Sequence, residues 1–266
     1  MILGDEMKRI LFASLAVVAF ASGTAFAADL PAPAPVFKAP PPPAPTWTGC
    51  FIAGGGGWGL WNQDITATVA GVPAAAKFTT GGNGWFGTAQ AGCDYQIDRV
   101  VIGAFGDYDA DGLNSTISFP NGSAANENEH WSWSAGGRIG WLAFPKLLTY
   151  ASGGYTQAQF GQLSYFNAAT GAPFASTSPA NTYTGWFIGT GYEYALDSLP
   201  FGLPLPAGLF WKTEFRYSTY STASLPVLNG AGVPTAFGIN ADKQIETIRS
   251  ELVWRFNWTG PGVFRY

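Results

Sequence analysis

Near its C-terminal end the chain alternates strictly between two kinds of residue. Ile248, Ser250, Leu252, Trp254, Phe256 and Trp258 occupy the even positions, and Arg249, Glu251, Val253, Arg255 and Asn257 the odd ones. Successive side chains of a strand point to opposite faces, so one face is apolar and aromatic while the other carries charges of both signs. Trp211, Thr213, Phe215 and Tyr217 alternate with Lys212, Glu214 and Arg216 in the same way. Half-buried strands of soluble sandwiches alternate too, so period two alone does not decide the fold. Strands that end in Trp and Tyr and carry both charge signs on the polar face suit a barrel wall between lipid and lumen.

Period two recurs upstream. Trp85, Ala89, Ala91 and Tyr95 oppose Thr88, Gln90, Asp94 and Gln96; Trp133, Ile139 and Trp141 oppose Ser132, Ser134 and Arg138; Trp186, Ile188, Tyr192 and Tyr194 oppose Gly189, Gly191 and Glu193. Eight strand-like segments result, at 47–61, 84–95, 100–109, 130–142, 147–160, 182–195, 209–220 and 246–258. The first is glycine-rich and the third weakly patterned, so both are assigned by position. The connections 62–83, 110–129, 161–181 and 221–245 are long and rich in Gly, Asn, Ser, Thr and Ala, whereas 96–99 and 143–146 are short and 196–208 intermediate. Long extracellular loops alternating with short periplasmic turns are the asymmetry of an outer-membrane barrel. The predicted fold class is all-β: an eight-stranded antiparallel transmembrane up-and-down β-barrel over 47–258, with both termini periplasmic. Two aromatic girdles are expected, Trp47, Tyr95, Trp141, Tyr194 and Trp258 below and Trp61, Trp85, Trp131, Trp186 and Tyr217 above.

The N-terminal region sets the compartment. Lys8 and Arg9 precede an apolar run from Ile10 to Phe20 and then Ala25-Phe26-Ala27. A basic region, a short apolar core and an A-x-A site form a secretory signal peptide over 1–27, cleaved between Ala27 and Ala28. Met7 is an alternative start, since Asp5 and Glu6 are unusual ahead of such a region. No later run approaches the ~20 apolar residues of a membrane helix. Residues 28–46, with PAPAPVFKAPPPPAP from Pro31 to Pro45, read as a polyproline spacer in the periplasm, a passive tether or a peptidoglycan contact. Residues 259–266 form a short tail.

Composition agrees. Charged residues are 11%, aromatics 16%, and glycine numbers 35. Mean hydropathy is only +0.09, as expected where each lipid-facing residue is diluted by a lumenal one. The net charge is −4 and loss of the leader leaves it unchanged. Without basic clusters there is no case for nucleic-acid binding.

Candidate chemistry is sparse. The polar faces deliver Arg138, Glu193, Lys212, Glu214, Arg216, Arg249, Glu251 and Arg255 to the lumen, with Asp94 or Asp107 as further acids. An eight-stranded barrel is only wide enough for side chains to fill. Buried charges persist when paired, so a lumenal ion network and a plugged interior are expected. The midpoint of Cys50 and Cys93 falls close to that of the 62–83 connection, which puts them nearly opposite one another on paired strands in an oxidising compartment. A disulfide is expected. Asp107-Tyr108-Asp109-Ala110-Asp111-Gly112 matches the first half of a calcium loop, but Ser118 replaces the bidentate Glu of its last position, so an acidic strand rim is the better reading. His130, the sole histidine, and Ser132 fall on one face of a strand with Glu127 or Glu129 nearby, resembling the H-x-S pair of lipid-A deacylase barrels. No oxyanion-hole or orienting-acid motif accompanies them, so no catalytic residues are assigned. Gly54 to Gly57 precede no strand-to-helix turn and are read as room for tall neighbours or strand curvature, not a phosphate cradle. No cofactor or metal is implied.

The ordered set of motifs resembles the small outer-membrane β-barrel proteins of alphaproteobacteria, a family of major surface proteins and hemin-binding barrels. The likeness rests on the leader with Ala28-Asp29-Leu30-Pro31, the proline spacer and Trp47-Thr48-Gly49-Cys50-Phe51-Ile52. It continues through Ile102-Gly103-Ala104-Phe105-Gly106-Asp107, Gly136-Gly137-Arg138-Ile139-Gly140-Trp141, Tyr150-Ala151-Ser152-Gly153-Gly154-Tyr155 and Gly185-Trp186-Phe187-Ile188-Gly189-Thr190-Gly191-Tyr192-Glu193-Tyr194. The resemblance implies an eight-stranded, porin-like surface barrel with no catalytic residues to carry over. Its expected partners are outer-membrane lipid and lipopolysaccharide, the barrel-assembly machinery, and peptidoglycan or hemin. Phe105 stands where such proteins commonly have Glu. The aromatic assembly signal is ambiguous between Trp258 and Tyr266. Three classes of function compete: a structural surface barrel contributing to envelope integrity with a narrow or closed lumen, or else a small-solute porin; a hemin- or ligand-binding or adhesive barrel acting through its long loops; and a lipid-modifying enzyme on His130 and Ser132. A soluble periplasmic or secreted sandwich is the non-membrane alternative.

Overall fold

The computed structural model describes residues 46–196 and 208–256. The expected signal peptide and its Ala27–Ala28 cleavage site, the proline-rich segment, most of the connection 196–208, Asn257, Trp258 and residues 259–266 lie outside the described residues. The strands are β1 (Gly49–Val69), β2 (Val72–Pro73), β3 (Phe78–Ile97), β4 (Val100–Asp111), β5 (Asn114–Ser118), β6 (Ser123–Phe144), β7 (Leu147–Phe160), β8 (Leu163–Asn167), β9 (Pro173–Ser178), β10 (Asn181–Ala195), β11 (Leu209–Tyr220), β12 (Ala223–Leu228) and β13 (Pro234–Phe256).

Eight of them form a ring in the order β1-β3-β4-β6-β7-β10-β11-β13, antiparallel throughout, and β13 closes on β1 from Cys50↔Phe256 to Val69↔Phe237. Closure leaves no unpaired edge, the condition for placing strands in lipid. Inside and outside alternate as the sequence implies. On β13 Arg249, Glu251, Val253 and Arg255 are buried, while Ile248 (55% exposed) and Leu252 (46%) lie on the outer wall. Outward aromatics include Trp85, Tyr95, Trp141, Trp186, Tyr194 and Trp211.

Four strands are far longer than a bilayer requires. β1, β3, β6 and β13 have 21, 20, 22 and 23 residues, about twice the 9–11 that cross a membrane. The expected long loops are therefore largely strand. Beyond the ends of β4, β7, β10 and β11 the wall continues as a second ring, β1-β3-β5-β6-β8-β9-β12-β13. Two of its seams are single bridges, Asn83↔Asn114 and Leu228↔Thr177. The extension forms because these segments carry their own inward apolar residues. Ile65, Ile117, Ala125, Leu163, Tyr165, Leu225 and Ile239 pack as a buried cluster inside it. Ala70 (φ 50°) and Gly71 (φ 80°) form the two-residue turn that joins β1 to β2. Two consecutive positive φ values give the turn sense that matches strand twist.

Two girdle expectations are corrected. Trp47 is fully buried and Trp61 is 1% exposed, both facing inward. On β1 the odd positions Phe51, Ala53 and Ile65 share that face. Trp61 is held there by Phe160 at 5.5 Å in an inner aromatic layer with Phe86, Tyr183 and Tyr220. The pairing of His130 with Ser132 on one face is also overturned. The β6–β7 register shifts between Glu129 and Trp131, and a bulge adds one residue and swaps the faces. Glu127 and Glu129 point in before it and Ser132 and Ser134 after it, while His130 is exposed.

Candidate functional site: a charged barrel interior

The interior is built in tiers. Nearest the chain ends, Arg138 and Arg255 each bridge Asp94 and Glu193. Arg138 lies 2.5 Å from Asp94 and 3.1 Å from Glu193. Arg255 lies 2.6 Å from Asp94 and 2.7 Å from Glu193. Aromatic faces cover the cations, with Arg138 4.6 Å from the Phe51 ring centre and Arg255 5.0 Å from that of Trp47. The Trp47 carbonyl also accepts from Arg255 at 3.2 Å, which explains an inward tryptophan at the start of the barrel.

The middle tier crosses the lumen. Arg216 on β11 makes a two-pronged contact with Asp107 on β4, at 3.0 and 2.9 Å, and donates through Nε to Glu214 at 2.9 Å. In the ring β4 and β11 stand on opposite sides, so this pair ties the wall across its diameter. Tyr150 donates to Glu214 at 2.8 Å. Arg249 reaches Asp109 at 2.9 Å and Lys212 reaches Glu251 at 2.5 Å. Lys212 also donates to Gln90. Phe105, in place of an acid, packs beside Phe187 (6.1 Å between rings), whose face lies 4.2 Å from the Arg216 guanidinium.

The third tier sits in the extension. Lys243 donates to Glu127 at 2.9 Å and to Gln63 at 2.6 Å, above the Phe160 ring at 3.8 Å. The aromatic faces take part of the ammonium's desolvation.

All eight residues read as lumenal are on the inner wall, and Asp94 and Asp107 join them. Their partners differ from the expected interleaving of β11 with β13. Among the ion pairs of these described residues only Lys212–Glu251 joins the two neighbours; the ion pairs of Arg249 and Arg216 reach β4 or stay within β11. Sequence reasoning places Asp109 on a rim, names Glu127 only as a neighbour of His130, and misses Lys243 and Gln63, because those segments resemble loops. The odd-position alternation of β13 runs unbroken from Ile239 through Lys243 to Arg249 or nearly so, with Thr247 half-buried, and would have found Lys243. Cys50 is the register partner of Cys93 and the two are bonded on the outer wall. Among the described residues no group of three or more His, Cys, Asp or Glu is arranged to hold a metal. A Cβ at Gly57 would strike the Phe86 ring and the Ile248 carbonyl, so that glycine gives room to a tall inward neighbour.

A closed eight-strand ring, apolar and aromatic outside and charged within, defines a small outer-membrane β-barrel. No family model matches the chain. It is similar to outer-membrane immunogenic proteins of Brucella. It is 29% identical over 210 residues to the 31 kDa protein of Brucella melitensis, covering 72% of this chain and 82% of that one. It is 28% identical over 220 residues to the 25 kDa protein of Brucella canis, covering 81% and 85%. Among solved structures, the outer membrane protein OprG of Pseudomonas aeruginosa superposes with a TM-score of 0.52 at 10% identity, over 80% of this chain and 99% of that one. At that identity the likeness concerns the fold. The chain is an outer-membrane surface barrel.

Proposed function

We propose that this protein is a structural barrel with a closed lumen that contributes to envelope integrity, without catalysis or cofactor. The observation that carries the reading is the middle tier, where Arg216 and Asp107 join opposite walls inside a ring too narrow for both side chains and a channel. The chain ends and short turns face the periplasm, and the extended hairpins face outward into lipopolysaccharide and the medium. The signal peptide is removed between Ala27 and Ala28, the proline spacer tethers the barrel or touches peptidoglycan, and the barrel-assembly machinery inserts it. N-terminal sequencing of mature protein checks the cleavage site, with Ala28 expected first. For the function itself, a deletion strain should become sensitive to detergent and regain resistance with wild-type protein. Proteoliposomes should not swell in small sugars. A deletion strain with an unchanged envelope, or rapid swelling, would remove the proposal.

A second reading is favoured by the outer hairpins. Val72 is 65% exposed, Phe237 61%, Val233 54% and Phe174 44%, an apolar tip suited to an adhesive or hemin-binding surface. Hemin titration monitored by the Soret band tests it; saturable binding would promote this reading over the first.

A further inference from the structure

Between the middle tier and the inner aromatic layer the structure leaves a cavity of ≈ 20 Å³, lined among others by Asp109, Glu129, Thr156, Ser218, Thr247 and Arg249. Arg249 Nε and Thr247 Oγ1, atoms of two residues that line it, are buried with no protein hydrogen-bond partner. Arg249 is 2% exposed, so no bulk solvent reaches its Nε–H. A buried donor left unmatched costs ~1–3 kcal/mol, and native interiors resolve such groups with protein or ordered water. The cavity exceeds the ~10–15 Å³ that one water needs, and its lining is polar enough to supply the two to four contacts a buried water makes.

We propose that this chamber binds an internal water as a permanent part of the interior, accepting from Arg249 Nε–H and exchanging a hydrogen bond with the Thr247 hydroxyl. A small anion has the same acceptor chemistry, but charge balance disfavours it. The buried charged groups among the described residues are eight carboxylates (Asp94, Asp107, Asp109, Glu127, Glu129, Glu193, Glu214, Glu251) against six cations (Arg138, Lys212, Arg216, Lys243, Arg249, Arg255). An interior already in negative excess repels an anion and tolerates a neutral dipole. The bound water then joins the middle tier to the hydroxyl-rich wall above it, so that the filled interior is made of protein and solvent together.

The inference rests on the closed-lumen reading, but its readout is separate from conductance. In micelles, wild-type protein labelled at arginine nitrogen should show the Arg249 Nε–H cross-relaxing with water in the sense of a bound, long-lived molecule. A crystal grown in bromide should show a solvent peak within hydrogen-bond distance of Arg249 Nε and no anomalous signal there. In Thr247→Val the water cross-peak should weaken or vanish while the Arg249 to Asp109 contact stays. An absent cross-peak in the wild type, an empty chamber, or bromide in it would each overturn the assignment. A conducting barrel that still shows the bound water would count against the closed lumen alone.

Discussion

The half of the barrel near the chain ends and the half near the hairpins are made by the same strands but held by different means. In the first, the outer wall is bulky and apolar and the inner wall sets ion pairs among buried aromatic and aliphatic side chains: Arg138 and Arg255 lie between Asp94 and Glu193, Arg216 spans to Asp107, and Phe51, Phe187 and Phe210 pack around them. In the second, the outer wall mixes hydrogen-bonded polar residues such as Thr116, Asn126, Ser224 and Asn240 with exposed Val69, Phe174 and Phe237, and the interior joins an apolar cluster of Ile65, Ile117, Leu163 and Ile239 to the inner ion pair of Lys243 and Glu127. Lipid explains the difference. A wall that faces hydrocarbon gains nothing from hiding apolar side chains inside, so its interior is free to be polar provided each charge is matched. A wall that faces water needs a conventional apolar core. Along its axis the interior thus changes from ion pairs set among aromatic faces to a largely apolar cluster with the Lys243–Glu127 ion pair.

The comparison breaks most visibly at Glu193. It is fully buried and accepts from Arg138 and Arg255 at 2.7 to 3.1 Å. Glu193→Ala leaves two guanidiniums sharing Asp94, and we expect a loss of ~3–5 kcal/mol, read as a lower urea midpoint and loss of heat-modifiable gel mobility.

The Cys50–Cys93 bond should matter next. It closes a sequence separation of 43 residues, which predicts ~2–4 kcal/mol from loop entropy. It also pins β1 to β3 beside Gly54 to Gly57, where a strand without side chains specifies its register poorly. Double substitution with Ser should lower the unfolding midpoint by less than Glu193→Ala does. Thiol titration of untreated protein should find no free cysteine, and two free thiols would contradict the pairing.

A smaller effect is expected in the outer half. Ile117 is fully buried in the extension, and Ile117→Val should cost ~0.5–1.5 kcal/mol. The loss should appear as faster proteolysis of the hairpins while the membrane half keeps its gel mobility. Global unfolding instead would show that the two halves are not held separately.

The smallest effect lies on the surface. Lys77 pairs with Asp64 at 2.7 Å and its hydrogen bond holds the Asp64 carboxyl below the usual carboxylate range. A depressed folded pKa stabilises above the unfolded value of ~3.9, and that contribution disappears as pH falls through the folded value. Solvent screens the pair, so Lys77→Ala should lower the midpoint only marginally at pH 7, and that small difference should be gone by pH 2.

How much of this was legible in the sequence follows the same division. In the membrane half, period two identified the inner face of β6, β10, β11 and β13 and with it all eight lumenal charges, because lipid on one side and ions on the other give the pattern maximal contrast. The outer half blurred that contrast. Asn, Ser, Thr and Ala serve equally in loops and in solvated strands, so 62–83 and 221–245 read as loops although Ile65 and Ile239 face inward. Trp47 and Trp61 were misplaced for a different reason: Gly54 to Gly57 carry no side chains from which to read the face across them. The bulge at Glu129–Trp131 changes parity without any glycine or proline to announce it, and the His130 and Ser132 pairing fell with it.

Single-channel recording in planar bilayers tests the closed interior most directly. With Arg216 held to Asp107 across the lumen and the tiers above and below it filled, wild-type protein should give no steady current, or brief picosiemens events only. Large, stable conductance in the nanosiemens range from wild-type protein would contradict the closed lumen and make the barrel a porin.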